Sequence, residues 1–397
     1  MVKKFLTLLI ILLAIIVIAL TLVSLFFTRT LINNESIMTS SPTTAPQVTQ
    51  GESSKDAPVF SVIAENLEVP WAIAFLPASP SLAESRRAQG GPDGSMLVTE
   101  RAGRVRFIDK DGTLSPNPVA QIENVKQIGE GGLHGIALHP DFPNNYFVYV
   151  YYTYGQNIIG TQNRVVRFRY EKGEFKEKTI IVDSIPGALF HDGGRIKFGP
   201  DNFLYITTGD AQNPSLAQDV NSLAGKILRV TDSGKPAAGN PFNNSVYSYG
   251  HRNPQGITWN TNGNLYETEH GQSATDELNF IEPGKNYGWP TIRGDQRQVG
   301  LESPFLQSGS DTWAPGGAAY LNGSIFFAGL RGQALYEASI KNEKVELKEH
   351  FKGEFGRIRE VIVGPDNMLY ITTSNRDGRG NPNANDDKII KVNPKIL

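Results

Sequence analysis

"GRIKFGPDNFLYITTGDA" (Gly194–Ala211) and "REVIVGPDNMLYITTSN" (Arg359–Asn375) share the core GPDN-LYITT although they lie far apart in the chain. Each reads as two β-strands joined by a tight turn: apolar alternation, a Pro-Asp-Asn corner, then β-branched and aromatic residues. The same pattern recurs in "WAIAFLP…PDGSMLVTERAGRVRFID", "HGIALHPDFPNNYFVYVYYT", "QGITWNTNGNLYETEHG" and "GGAAYLNGSIFFAGLRGQALYEA". These make about six copies, spaced roughly 43 to 62 residues apart, a period that suits propeller blades. No copy can bury its apolar face alone, so the copies must stack in a ring. The expected fold is therefore all-β, a six-bladed β-propeller over 58–397. "FSVIAENL" (Phe60–Leu67) is expected to pair with the C-terminal strands and close the ring, and "ASPSLAESRRAQGG" (78–91) reads as an insertion in the first blade's hairpin. A sandwich or two smaller β domains would not show so regular a repeat.

Composition agrees. Gly 40 and Pro 24 supply many turns, and a net charge of -2 from 38 Lys+Arg against 40 Asp+Glu gives no bulk field for nucleic acid. Cys 0 excludes disulfides, thiolate metal sites, cysteine nucleophiles and a lipoprotein anchor. The uncharged run Phe5–Phe27, preceded by Lys3 and Lys4, has the length of a membrane-spanning helix and the flanking charge of one whose remainder lies outside the cytoplasm. Residues 1–30 are expected to be a retained signal anchor, since "LFFTRTL" offers no small-x-small cleavage site. Residues 31–57, rich in Ser, Thr and Pro, read as a flexible linker.

None of the six histidines forms HExxH, and GxSxG, GxxxxGK[ST] and GxGxxG opening a helix are all missing. What remains is a set of polar, glycine-flanked segments from different copies: "GEGGLHG", "FHDGGR", "SYGHRNPQG", "ETEHGQSATDELN", "GKNYGWP", "GLRG" and "GRIRE". A propeller gathers such loops at one mouth of its channel. They would bring Arg252, Arg331, Arg357 and Arg359 together, and arginine forks match carboxylates and phosphates. Taken singly, each has a plainer reading. Arg357 and Arg359 could be an ion-paired face, Asp276 and Glu277 a turn cap, and His191 a structural histidine.

The segments "GEGGLHGIALHPDFPNN", "HDGGRIKFGPD", "YGHRNPQGITW", "EHG", "DELN" and "GKNYGWP" together resemble the soluble sugar dehydrogenases that use pyrroloquinoline quinone (PQQ), the aldose sugar dehydrogenase branch most closely. The resemblance runs from about Phe60 to the C-terminus. It implies C1 oxidation of an aldose to the lactone, with His191 taking the hydroxyl proton and hydride passing to the quinone. Gly193 and Gly194 would let the backbone approach the cofactor. Arg252 and Asn253 would meet the quinone edge, with Arg252 stabilising the charge that hydride brings. Arg357 and Arg359 would hold the cofactor carboxylates. Glu130 and Arg331 occupy cofactor positions where a glutamine and a lysine are usual, and Phe190 replaces an acidic residue. Glu277 and the Tyr287 carbonyl match a structural Ca2+ site, and the Gly271 and Gln272 carbonyls a second Ca2+ against the quinone. The implied partners are an aldose, an external electron acceptor and, through the anchor, the outer face of the membrane. Two alternatives share the fold: a non-catalytic ligand-binding propeller, and a calcium-dependent lactonase, for which no channel cluster of Asn, Asp and Glu repeats blade by blade.

Overall fold

The GPDN corners show why the repeat folds as it does. In a computed structural model describing residues 58–77, 94–155, 160–341 and 344–397, both corners have one construction. Asn202 and Asn367 take left-handed φ of 63° and 58°, which Asn tolerates better than most residues. Asp201 and Asp366 each accept the amide two residues on, at 3.2 Å, and each accepts a tyrosine hydroxyl from the following strand. A Cβ on Gly199 or Gly364 would lie 2.6 or 2.4 Å from that tyrosine ring, so only glycine fits before the turn.

Twenty-four strands, numbered along the chain, form six four-stranded antiparallel sheets among the described residues. Blade 1 holds β2 (Pro70–Phe75), β3 (Met96–Glu100), β4 (Arg104–Ile108) and β5 (Ala120–Gln121). Blade 2 holds β6 (Leu133–Leu138), β7 (Phe147–Tyr154), β8 (Gln162–Glu171) and β9 (Glu174–Pro186). Blade 3 holds β10 (Ile196–Phe198), β11 (Leu204–Thr208), β12 (Lys226–Val230) and β13 (Val246–Tyr249). Blade 4 holds β14 (Pro254–Trp259), β15 (Leu265–Glu269), β16 (Glu277–Ile281) and β17 (Leu306–Gln307). Blade 5 holds β18 (Pro315–Leu321), β19 (Ser324–Gly329), β20 (Leu335–Lys341) and β21 (Lys344–His350). Blade 6 holds β22 (Ile358–Val363), β23 (Leu369–Thr373) and β24 (Ile389–Val392), and takes its outer strand, β1 (Phe60–Ala64), from the other end of the propeller chain. That pairing, Phe60 opposite Val392 and Val62 opposite Ile390, closes the ring as the sequence predicts.

The second strand of a blade is buried on both faces: every residue of β3, β11, β15 and β23 is buried. The core lies between blades. Tyr149 and Tyr151 of blade 2 pack with Leu204, Ile206 and Leu228 of blade 3, while Ile73 and Val98 of blade 1 pack with Tyr370 and Ile389 of blade 6. Near the axis, the buried Arg195 guanidinium pairs with Glu360 of β22 and lies 4.3 Å from the Trp71 ring of β2, tying blades 3, 6 and 1. The anchor and linker regions and the insertion at 78–91 lie outside the described residues. Among the described residues, no helix is long and apolar enough to cross a membrane.

Candidate active site

In an up-and-down blade, the loop entering the innermost strand and the loop after the second strand emerge at the same mouth. There they line a cleft of about 370 Å³. Its walls include Glu130, His191, Arg252, Asn253, Gly271, Arg331, Arg357 and Arg359, so eight of the eleven residues singled out in the sequence meet in one place. Gln272, Glu277 and Tyr287 do not line it.

His191 sits before β10 at φ 66°, a left-handed conformation that a non-glycine residue adopts only where its surroundings enforce it. Three contacts do so. Glu130 Oε2 accepts the His191 amide at 3.1 Å, Ala211 N donates to its carbonyl, and that carbonyl packs so close to Gly209 that a Cβ there would fall 1.9 Å from it. The ring Nδ1 is 2.7 Å from Asp210 Oδ1. Asp210 is fully buried at the end of β11 and also accepts Trp289 Nε1 at 2.8 Å and the Gln212 amide at 2.8 Å. A carboxylate only accepts, so Nδ1 carries the proton and Nε2 keeps a free lone pair. This is the arrangement of an oriented base.

The two glycines after His191 serve a different purpose from the one expected. Neither lines the cleft. A Cβ on Gly193 would fall 2.7 Å from the Thr207 carbonyl, and one on Gly194 would fall 2.4 Å from His134 Nδ1. They are required by close packing inside the propeller, where Gly193 N also donates to Asn253 Oδ1 at 3.1 Å. Asn253 thus positions the histidine loop with its carbonyl while its amide lies 3.4 Å from Glu130.

The arginines divide into two kinds. Arg357 is already paired, its Nε and Nη2 reaching Asp377 Oδ2 at 3.0 and 2.8 Å. Arg359 is buried, donates Nη1 to Gln255 Oε1 at 2.6 Å, and keeps a buried Nε with no partner. Burial pushes its guanidinium down to about 9. Arg252 has a buried, unpartnered Nε and lies 5.3 Å from the Trp289 ring, and burial lowers it too. Buried cations with unused donors call for an anion, and guanidinium forks call for carboxylates. The residues present fit a tricarboxylate such as PQQ.

The sequence reading missed three residues here, Asp210, Arg379 and His270, while Asp276 takes the turn-capping role it offered. Asp210 and Arg379 are the carboxylate behind the base and the cation that Glu130 meets at 2.9 Å. His270 lines the cleft with Nε2 2.9 Å from the Pro315 carbonyl, and burial holds it down to about 4. Asp276 accepts the amides of Gly271, Trp313 and Ala314, which makes it a loop organiser. Asp210 had a signal in "TTGDA", where the second strand ends at the mouth. Arg379, in a loop between β23 and β24, had none.

Glu277 lies on β16 opposite Glu269 of β15, with Asn279 opposite Glu267. His251 Nδ1 is 3.6 Å from Glu269 and 4.0 Å from Glu267. Burial and mutual repulsion drive Glu267 well up, Glu269 to about 7 and Glu277 to about 8. Three fully or nearly fully buried atoms here, His251 Nδ1, Glu267 Oε1 and Asn279 Oδ1, have no partner. Clustered carboxylates with unused acceptors fit a hard cation. The Tyr287 hydroxyl is spent on Phe280 O and Glu282 N and its ring stacks on His251, which leaves only its carbonyl for a metal. The Gln272 side chain bonds Arg293 away from the cleft.

Fold and site together define a six-bladed propeller with a carboxylate-backed histidine at an arginine-lined mouth. The chain belongs to the glucose/sorbosone dehydrogenase family, whose pattern it matches over residues 67–381. It is 37% identical to the aldose sugar dehydrogenase of Streptomyces coelicolor, whose structure was determined with PQQ bound; the match covers 84% of this chain and 98% of that one, with a TM-score of 0.75. It is 28% identical to the Escherichia coli aldose sugar dehydrogenase over 84% of this chain and 92% of that protein. An uncharacterized Synechocystis protein is 31% identical over 86% and 89% of the two chains.

Proposed function

We propose that this protein is a PQQ-dependent aldose dehydrogenase that oxidises the C1 hydroxyl of a cyclic aldose to the lactone. One observation carries the reading: a histidine with its Nδ1 held by a buried carboxylate at 2.7 Å opens onto the same cleft as Arg252 and Arg359, each with a buried Nε that has no partner. A ligand-binding propeller has no need of both. His191 Nε2 takes the proton of the C1 hydroxyl, and Asp210 steadies the imidazolium that results. Arg359, with Arg357 beside its Asp377 partner, would hold the cofactor carboxylates, Arg331 would add a rim cation, and Arg252 and Asn253 would hold the quinone edge, where Arg252 would oppose developing negative charge. When bound, PQQ would supply a two-electron acceptor for the C1 hydride, to be reoxidised by an acceptor outside the chain.

Calcium belongs to the same proposal. Glu277, with the Tyr287 carbonyl and the neighbouring Glu267 and Glu269, would hold a structural ion, and the Gly271 and Gln272 carbonyls one at the cleft. The Phe5–Phe27 run would keep the enzyme at the outer face of the membrane. The test is to load the full chain with PQQ and Ca2+ and follow aldose-dependent dye reduction. Turnover that needs both additions is expected. Protein that binds no PQQ would favour the ligand-binding propeller.

A further inference from the structure

Glu130 presents a difficulty for a site that is to take a tricarboxylate. Its side chain is 16% exposed and lines the cleft, where an unpaired carboxylate would repel the ligand. The structure shows how the repulsion is removed. Glu130 Oε1 accepts Arg379 Nη1 at 2.9 Å, while Oε2 accepts the His191 amide at 3.1 Å. Arg379 comes from the β23–β24 loop on the far side of the ring closure, and its guanidinium lies 5.3 Å from the Phe190 ring at the rim. Burial would raise the Glu130 carboxyl; the facing His270, Arg379 and the His191 amide outweigh it and hold it at about 2. Arg379 and the His191 amide are the groups that meet the two carboxylate oxygens directly.

The same loop balances a second charge. Asp377, two residues before Arg379, takes Arg357 at 2.8 Å and accepts the Arg379 amide at 2.9 Å. One short segment therefore gives an anion to Arg357 and a cation to Glu130. Of the cleft arginines, Arg252, Arg331 and Arg359 are then left without a carboxylate at hydrogen-bonding distance among the described residues.

We propose that Arg379 is a cofactor-positioning residue: it neutralises Glu130 and so converts a carboxylate that would exclude a tricarboxylate ligand into the strut that holds the His191 backbone. The inference rests on the PQQ reading. It treats Glu130 and Arg379 as one unit, so the two substitutions must not add.

The test titrates the full chain, in detergent and with Ca2+, with PQQ, reading bound cofactor by quenching of tryptophan fluorescence. Arg379→Ala should weaken PQQ binding by roughly 10- to 100-fold, the scale of one unneutralised charge facing another in a partly screened cleft. Glu130→Gln keeps an acceptor for the His191 amide and should bind at least as tightly as wild type. The double variant should return to within about 3-fold of wild type, the non-additivity expected of partners in direct contact. Arg379→Lys, which keeps the charge, should lose less than the alanine variant and provides the comparison if that variant melts early. A double variant as weak as Arg379→Ala, or a lysine variant as weak as the alanine one, overturns the proposal. Wild-type protein that binds no PQQ overturns the functional reading, and this inference falls with it.

Discussion

Asp210→Asn isolates the carboxylate behind the base with little change of shape. Asp210 receives three N–H groups: His191 Nδ1 at 2.7 Å, Trp289 Nε1 at 2.8 Å and the Gln212 amide at 2.8 Å. As His191 takes a proton, its bond to Asp210 becomes one between an imidazolium and a carboxylate. Hydrogen bonds to charged groups are worth about 1.5–3 kcal/mol, so losing this charge should slow turnover about 10- to 150-fold. The asparagine must also turn its NH2 toward one of the donors it replaces. That leaves a buried N–H without an acceptor and costs about 1–3 kcal/mol of stability. Turnover is therefore measured well below the melting temperature, at saturating PQQ and Ca2+, in the full chain. His191→Ala is the reference variant, expected to fall by roughly 100-fold or more while still binding PQQ. If Asp210 acts through His191, adding Asp210→Asn to His191→Ala slows the reaction no further. Wild-type turnover in Asp210→Asn, or an undiminished effect in the His191→Ala background, refutes the assignment.

Arg359→Ala should weaken PQQ binding more than Arg357→Ala, because Arg357 is already spent on Asp377 whereas Arg359 keeps a buried, unused Nε; equal losses in a cofactor titration would contradict this. Ca2+ should raise the melting temperature of wild type, and Glu277→Gln should shrink the gap between Ca2+ and chelator, since binding to the folded state alone is what stabilises it; a gap that the substitution leaves intact places the ion elsewhere. The Glu130 carboxyl is depressed from 4.5 to about 2, so its contribution to stability is complete above about 4.5 and lost as pH falls toward 2. Between those limits the melting temperature of Glu130→Gln should fall less steeply than that of wild type, and parallel curves would show that Glu130 does not titrate with folding.

How much of this was legible in the sequence depended on whether a contact is local. The GPDN corners and the six copies were readable, because a turn needs its Asn and Gly within four residues and a blade needs its alternation within one hairpin; the closing strand was readable only because a ring of such copies must be closed by its ends. The cleft's membership was readable for the same reason: topology delivers every loop of one kind to one mouth. What those side chains do once there was not. Arg357 is neutralised by Asp377, twenty residues on, and Glu130 by Arg379, 249 residues on. Gly193 and Gly194 illustrate the opposite error. Their freedom was visible, but the atoms that require it belong to β11 and His134, which only packing brings near. Glu267 and Glu269 were not singled out in the sequence, because they meet Asn279 and Glu277 only through the β15–β16 register.

The electrostatics of the mouth follow from that division. A cleft carrying five arginines without compensation would be hard to bury, since each buried charge lacking a partner costs several kcal/mol. The β23–β24 loop lowers this cost selectively: it pairs Arg357 with Asp377, offers Arg359 an oxygen at 4.0 Å, and spends Arg379 on Glu130. The cations left over are those placed around the His191 opening, at Arg252, Arg331 and Arg359. The folded protein thus retains unpaired positive charge only where a ligand can supply the missing anions. Substitutions in the β23–β24 loop should therefore alter ligand affinity well before they alter the fold, as the Arg379 titration can decide.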